Sequence, residues 1–168
     1  AIEMLFLSPI ELDLDAAAAQ IRTAVEERNV QRIVIDSVAE LESATRDPER
    51  FDDFMASLVG FLRGREVTTI MTREIHQIFG ANLAIASQGL SYIVDNIVLL
   101  RYLELEAQIR RAIAVLKIRG SDHDKRLREL LIADGQIRIV DSFRNLSGLL
   151  AGMPMPAGLS PGQPGEEG

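Results

Sequence analysis

The sequence predicts an α/β fold in which a parallel sheet with flanking helices is extended by antiparallel strands toward the C-terminus. In the first half, β-branched runs alternate with amphipathic helical patterns, which is typical of parallel strands joined by crossover helices. In the second half, apolar runs follow one another without long helical segments between them, which indicates antiparallel strands. The chain has 168 residues, 47% of them hydrophobic, and is long enough to bury one core.

The first elements carry the parallel pattern. An apolar run at residues 4–7 predicts a strand. Asp13 or Asp15 is placed to cap a helix, because Asp accepts hydrogen bonds from the free N–H groups at a helix start. The predicted core face of this helix consists of Leu14, Ala17, Ala18, Ile21, Ala24 and Val25. The β-branched run at residues 31–36 predicts the next strand, which ends in the carboxylate of Asp36.

A second helix and another strand continue the alternation. Asp47 before Pro48 favours a helix start, since Asp caps the helix and Pro suits its first turn. Gly64 is placed to end this helix, and residues 67–72 predict the following strand. Apolar residues recur at helical spacing on the predicted core face, which consists of Phe51, Phe54, Met55, Leu58, Phe61 and Leu62.

The remaining elements are predicted to be antiparallel. Strands are expected at residues 97–103, 110–118, 126–133 and 136–140, and Asp134-Gly135 predicts a two-residue hairpin between the last two. Asp141-Ser142 is placed to cap a short helix through Leu150. We expect one folded portion over residues 1–152 and a flexible tail rich in Pro and Gly over residues 153–168.

Composition excludes several classes of function. The net charge of −7 and the aromatic content of 5%, without Trp, disfavour binding to nucleic acid, which needs cations and stacking platforms. The absence of Cys excludes disulfides and thiolate metal sites. Apolar runs are too short to cross a bilayer, and no signal-peptide pattern is present. We therefore expect a cytoplasmic protein with no membrane association.

Asp36 is a candidate metal ligand. Ligands of open α/β sheets bind at the carboxyl ends of the strands, and a carboxylate there suits Mg²⁺. The alternative is that Asp36 caps the loop after its strand. A receiver-type phosphoacceptor also sits at a strand end, but the acidic pair and the Lys that such a domain needs are missing from residues 7–10 and 72–73.

A run of cations, Arg111 to Lys125, is the second candidate site. Strict alternation along a strand would place Arg111, Lys117 and Arg119 on one face, and would continue to the Ser, His and Lys of the loop. Cations and donors directed to one side suit a polyphosphate. The alternative is a solvated hairpin face whose cations pair with Glu104, Glu106 or Glu129.

The same segment carries a family resemblance. Residues 117–125, Lys-Ile-Arg-Gly-Ser-Asp-His-Asp-Lys, are followed by Arg128-Glu129, the hairpin at 132–135 and Asp-Ser-Phe-Arg-Asn at 141–145. Together these resemble the end of an ATPase domain of the KaiC family, within the RecA-like P-loop superfamily. The match is closest to the second, autophosphorylating domain of that family. It covers roughly residues 4–152, with residues 32–38 in the place of the Walker B strand.

The resemblance implies ATP and Mg²⁺ as cofactors and a hexameric ring with ATP at the subunit interfaces. Asp36 then corresponds to the carboxylate near Mg²⁺. Lys117 and Arg119 correspond to catalytic cations that act on ATP held by the neighbouring subunit. The full set of implied nucleotide contacts is Arg111, Lys117, Ile118, Arg119, Ser121, His123 and Lys125. Ser91 corresponds to a phosphoacceptor of the autokinase, with Tyr92 in place of the Thr that follows it in the family.

The sequence also departs from the family pattern. It contains no Gly-x-x-x-x-Gly-Lys-Ser/Thr loop and starts without Met, so we expect a fragment whose phosphate loop and catalytic glutamates precede Ala1. Such a fragment is expected to be inactive alone. The alternative function is an ATP-gated signalling scaffold whose partner proteins bind near the tail, and a DNA-binding relative is a third. His76 has no metal-ligand partner at suitable spacing.

Overall fold

The computed structural model describes residues 2–8, 12–74, 89–141, 143–144, 146–149 and 155–156, with residues 89–90 and 155–156 described by their backbone alone. The chain divides into two compact units, an N-terminal unit, Ala1–His76, and a C-terminal unit, Gln77–Gly168. His76 lies outside the described residues. No helix in the described ranges combines the length and the apolar character required to span a membrane.

The N-terminal unit has the predicted alternation of strands and helices. Its elements are α1 (Leu14–Arg28), β1 (Arg32–Ile35), α2 (Val38–Ser43), α3 (Pro48–Gly64) and β2 (Thr68–Met71). β1 and β2 pair in parallel, in a register that runs from Arg32↔Thr68 to Ile35↔Met71. The parallel sheet with flanking helices is therefore confirmed.

The two predicted helices of this unit start where their sequences predict, and α3 also ends at the predicted residue. The Asp13 carboxylate accepts a hydrogen bond from the Ala16 backbone N–H at 2.9 Å and caps α1. Asp47 caps α3 in the same way, and α3 ends at Gly64. Apolar residues of both helices form one core cluster, namely Ile21, Val25, Leu58 and Leu62 with Val67.

One face of the parallel sheet packs against this core cluster. Ile33 and Ile35 pack against the cluster, whereas Val34 and Ile70 lie on the opposite face, 63% and 59% exposed. Successive strand residues point to opposite faces, which accounts for this division.

Two features of the N-terminal unit differ from the sequence prediction. The strand predicted at residues 4–7 is wrong, because these residues have no regular structure and Phe6 is 81% exposed; no strand in the described part of the chain pairs with them. The short helix α2 was not predicted. Its start has a capping box, in which the Ser37 backbone N–H donates to the Glu40 carboxylate at 3.0 Å.

The C-terminal unit is built on an antiparallel sheet. A 3-10 helix (Gly89–Tyr92) precedes β3 (Asn96–Leu105), β4 (Gln108–Ile118), β5 (Arg128–Ala133) and β6 (Gln136–Val140). The order of these strands in the sheet is the same as their order in the chain, and each pair of neighbours is antiparallel. Asp134 and Gly135 form the predicted hairpin turn, with φ angles of 52° and 72°. The antiparallel strands predicted for the second half of the chain are confirmed.

The end of the chain differs from the prediction. The helix expected from Asp141 to Leu150 is wrong, because Leu146–Ser147 forms β7 and pairs with β8, Met155–Pro156. Phe143 and Leu149 pack with Leu103 and Ala112 in a core cluster. Burial of these side chains against the antiparallel sheet therefore decides the local structure, and the helical spacing of apolar residues does not. Apart from β8, the predicted tail at residues 153–168 lies outside the described residues.

Candidate functional site

Asp36 and Thr72 meet at the carboxyl edge of the parallel sheet. Asp36 follows β1 and Thr72 follows β2, and the Thr72 hydroxyl donates a hydrogen bond to Asp36 Oδ1. Backbone hydrogen bonds hold the pair in place: Thr72 N–H donates to the Ile35 carbonyl at 3.0 Å, and Val38 N–H donates to the Thr72 carbonyl at 2.9 Å. The Asp36 side chain is exposed. It therefore faces solvent at the position where α/β sheets bind ligands.

The donor set at this edge fits a magnesium ion. Mg²⁺ keeps several waters and binds proteins through one or two carboxylates plus phosphate oxygens. The described residues contain no group of three or more His, Asp or Glu side chains that would form a cage. The Ser37 hydroxyl bonds Glu40 and is the main cause that lowers the pKa of Glu40, so that carboxylate is committed to capping α2. Asp36 is the carboxylate that remains at the strand end.

A β-bulge in β4 divides the predicted cations between two faces. Ile97 pairs with Lys117 and Val98 with Val115, which leaves Leu116 as an extra residue in β4. Opposed residues of an antiparallel pair point to the same face, whereas successive residues of β3 alternate. The prediction that Arg111 and Lys117 share a face is therefore wrong.

Arg111 lies on the exposed face of the sheet. It pairs with Tyr102 across β3 and β4, and its guanidinium carbon is 5.9 Å from the centre of the Tyr102 ring. Tyr102 is 62% exposed. Lys117 lies with Ile97 on the other face, which also carries the buried Leu99.

Lys117 and Arg119 converge on residues 91–95, which we call the 91–95 segment. Lys117 Nζ donates to the carbonyl oxygens of Ser91, at 2.6 Å, and Val94, at 2.8 Å. An Arg119 terminal nitrogen donates to the Tyr92 carbonyl at 2.8 Å, and Arg119 Nε lies 3.0 Å from Asp95 Oδ1. The Arg119 backbone N–H also donates to the Asp95 carbonyl at 2.8 Å.

The other predicted contact residues lie at the end of β4 and in the loop that follows it. Ile118 is half-buried and ends β4 opposite Asn96, and Ser121 is exposed. His123 Nε2 lies 3.1 Å from the Val115 carbonyl oxygen. The Lys125 side chain is 75% exposed, and its ammonium lies 3.7 Å from an Asp122 carboxylate oxygen.

An ion network that was not predicted anchors this loop. Arg126 bridges Asp124 and Asp141, at 2.9 Å and 3.1 Å, while Arg128 also binds Asp124 and Arg144 also binds Asp141. The Arg126 hydrogen bond is the main cause that lowers the pKa of Asp124, and the Arg144 hydrogen bond has the same effect on the pKa of Asp141. Hydrogen bonding to Asp124 raises the pKa of Arg126.

Among the ion pairs found in the described residues, the alternative pairing of the cations with Glu104, Glu106 or Glu129 occurs at one residue outside the predicted site. Arg110 lies 3.6 Å from Glu129, whereas Arg119 pairs with Asp95. Sequence reasoning missed Asp95, although the hairpin register would have indicated it: once Asn96 is opposite Ile118, the next residues outward are Asp95 and Arg119.

Comparisons with known proteins agree with this architecture. A family model described as "ATPase: KaiC" matches residues 7–143. The chain is 34% identical over 147 residues, 88% of its length, to the circadian clock protein KaiC3 of Synechocystis sp.. It is 33% identical over 153 residues, 91% of its length, to the circadian clock oscillator protein KaiC of Picosynechococcus sp.. It is 36% identical over 134 residues, 80% of its length, to the protein of that name from Thermosynechococcus vestitus.

The alignments cover 29%, 29% and 26% of those three relatives, so the chain spans less than a third of the proteins it matches. The family model nevertheless covers most of the chain and includes both the Asp36 edge and the cations from Arg111 to Lys125. Membership of this family implies a RecA-like fold. Because the family model covers most of its residues, the chain belongs to the KaiC ATPase family.

Proposed function

We propose that the intact protein containing this chain binds ATP with Mg²⁺ and hydrolyses it in a hexameric ring, with each nucleotide lying between neighbouring subunits. In this proposal Lys117 and Arg119 of one subunit contact the phosphates of ATP held by the next. The observation that carries the proposal is the convergence of these two cations on the 91–95 segment. It is supported by membership of the KaiC ATPase family.

Both cations keep donors for a ligand. A lysine ammonium has three N–H donors, and in the described residues Lys117 uses two, for the Ser91 and Val94 carbonyls. A guanidinium has five, and Arg119 binds the Tyr92 carbonyl and Asp95 through two of its nitrogens. The remaining donors match the several oxygens of a polyphosphate. A cation held in this way is oriented before the ligand arrives.

The chemical role of the cations follows from the reaction. In ATP hydrolysis the water oxygen bonds to the γ-phosphorus, the bond from that phosphorus to the ADP oxygen breaks, and the water proton passes to solvent. Negative charge develops on the phosphoryl and leaving oxygens. Lys117 and Arg119 stabilise this charge. Mg²⁺, for which Asp36 would supply the protein carboxylate, neutralises phosphate charge when bound.

The remaining assignments rest on the resemblance. We assign Ile118, Ser121, His123 and Lys125 to nucleotide contacts as well, and residues 1–152 to the C-terminal portion of the ATPase domain. Arg111 keeps its assignment as a nucleotide contact from the resemblance, although it lies on the opposite face of the sheet from Lys117. Autokinase activity would transfer the γ-phosphoryl group to the Ser91 hydroxyl instead of water. Because no phosphate loop occurs in the sequence, we propose that residues 1–168 alone do not turn over ATP.

A subunit-mixing experiment on the full-length protein tests the proposal. Asp36→Asn breaks the site from one side of the interface and Arg119→Ala breaks it from the other, so each variant alone should keep only a small, measurable residual rate of hydrolysis. In randomly mixed rings at equal amounts, about a quarter of the interfaces combine an intact Asp36 with an intact Arg119. Hydrolysis should recover to about that fraction.

The controls separate the trans contact from misfolding. Both side chains are exposed, so each variant should keep the unfolding temperature and the ring assembly of the unsubstituted protein. No recovery on mixing of the assembled variants would refute the contact across the interface. Full activity of Arg119→Ala alone would remove that residue from the site.

A further inference from the structure

The 91–95 segment contacts both proposed catalytic cations, and Asp95 makes two separate contacts with Arg119. The carboxylate lies 3.0 Å from Arg119 Nε, and the Asp95 carbonyl accepts a hydrogen bond from the Arg119 backbone N–H at 2.8 Å. The Tyr92 carbonyl accepts from a terminal nitrogen of the same guanidinium at 2.8 Å. The planar guanidinium is thus held at two of its nitrogens.

We infer that Asp95 is a positioning residue, which sets the direction of the Arg119 guanidinium for its contact with the nucleotide. The inference rests on the proposed function of Arg119. An exposed arginine explores many rotamers, and each rotamer that points away from the phosphates lowers the occupancy of the productive geometry. A carboxylate on Nε and a carbonyl on a terminal nitrogen restrict those rotamers without using every donor.

The same contacts connect the nucleotide site to the candidate phosphoacceptor. Ser91 lies at the start of the 91–95 segment and its carbonyl accepts from Lys117, while Asp95 lies at the end and binds Arg119. A displacement of this segment therefore moves the anchors of both cations. Asp95 acts on hydrolysis through the orientation of Arg119 and touches no reacting atom.

A double-mutant cycle in the full-length ring measures this role. Asp95→Ala should lower kcat for ATP hydrolysis about tenfold and change KM less than about twofold, because the loss concerns transition-state orientation. In the Arg119→Ala background, Asp95→Ala should have no further effect on kcat. Asp95→Asn keeps an oxygen acceptor for Arg119 Nε and should retain more activity than Asp95→Ala.

A matched control is available in the N-terminal unit. Glu26 pairs with Arg65 at 2.7 Å, with side-chain exposures of 39% and 49%, close to the 51% and 50% of Asp95 and Arg119. Glu26→Ala removes a comparable exposed ion pair and should leave kcat unchanged. Circular dichroism and ring assembly should match those of the unsubstituted protein in all variants.

The possible results distinguish the two proposals. If Arg119→Ala lowers kcat but Asp95→Ala has no effect, or has the same effect in both backgrounds, the positioning role is refuted and the role of Arg119 stands. If Arg119→Ala leaves hydrolysis unchanged, the trans contact fails and the positioning role fails with it. Loss of kcat only in the presence of Arg119 supports both.

Discussion

Lys117 Nζ lies 2.6 Å from the carbonyl oxygen of Ser91, a residue 26 positions earlier in the chain. The second carbonyl that it binds, that of Val94, belongs to the same segment. Hydrogen bonds from a charged donor are stronger than those between neutral groups. The ammonium therefore attaches the residues before β3 to the end of β4. The bulge at Leu116 determines the face of the sheet on which the Lys117 side chain lies.

Removing this ammonium should loosen the 91–95 segment. We expect Lys117→Ala to lower the free energy of unfolding by about 2 kcal/mol, because two charge-assisted hydrogen bonds to a half-buried group are lost. Amide hydrogen exchange in residues 91–95 should become faster. The control is Lys125→Ala, because the Lys125 side chain is 75% exposed. It should change the free energy of unfolding by less than about 0.5 kcal/mol; equal effects of the two variants would contradict the attachment.

The ion network at Asp124 and Asp141 should make stability depend on pH. Both carboxyl groups have a pKa below the ordinary value of 3.8, chiefly because arginines bond them in the folded chain. As the pH falls toward that value, the unfolded chain therefore binds more protons than the folded chain does. The stabilisation is complete at higher pH and is lost as the pH falls toward the folded pKa values.

Urea unfolding at a series of pH values checks this dependence. Asp124→Asn keeps the shape of the side chain but cannot ionise, so its urea midpoint should fall less between pH of about 5 and about 3 than that of the unsubstituted protein. Glu104→Gln, in β3 and outside the network, should preserve the original dependence. A parallel decline in all three proteins would show that the network contributes nothing.

Two glycines should respond in opposite directions to the same substitution. Gly120 follows Arg119 with φ of 82°, and a Cβ there meets nothing within 4 Å, so the cost of Ala is conformational alone. We expect Gly120→Ala to destabilise the fold by about 1 kcal/mol. Gly60 lies inside α3, also in open space, and Gly60→Ala should stabilise by about 0.5–1 kcal/mol. Thermal unfolding of both variants measures the difference, and shifts of the same sign would refute it.

Local patterns predicted most of the fold because the deciding interactions lie close in sequence. The caps at Asp13 and Asp47 and the hairpin at Asp134-Gly135 each involve neighbours a few residues apart. The predictions for residues 4–7 and 141–150 were wrong because the structure of these segments depends on pairing with another segment of the chain. An apolar run forms a strand only if another strand pairs with it, and Leu146–Ser147 pairs with Met155–Pro156 in place of continuing a helix.

The residues of the candidate site remain a prediction from the sequence, and the structure arranges them differently from the predicted grouping. The cations of β4 and Asp36 could be identified from charge, position and family pattern. Their grouping depended on strict alternation, which fails at Leu116 because a bulge is decided by pairing between strands. Asp95 is separated from Arg119 by the whole β3–β4 hairpin, so only the strand register brings the two together.

The extra residue at Leu116 makes the spacing of β4 matter as much as its composition. Deleting that single residue would leave Lys117 opposite Ile97 in a regular ladder, on the face that it occupies now. A register in which Leu116 is kept and pairs with Ile97 would instead turn the Lys117 side chain toward the Tyr102 side, away from the Ser91 carbonyl. The bulge therefore decides which positive charges of β4 share a face, while changes of residue type adjust those charges in place.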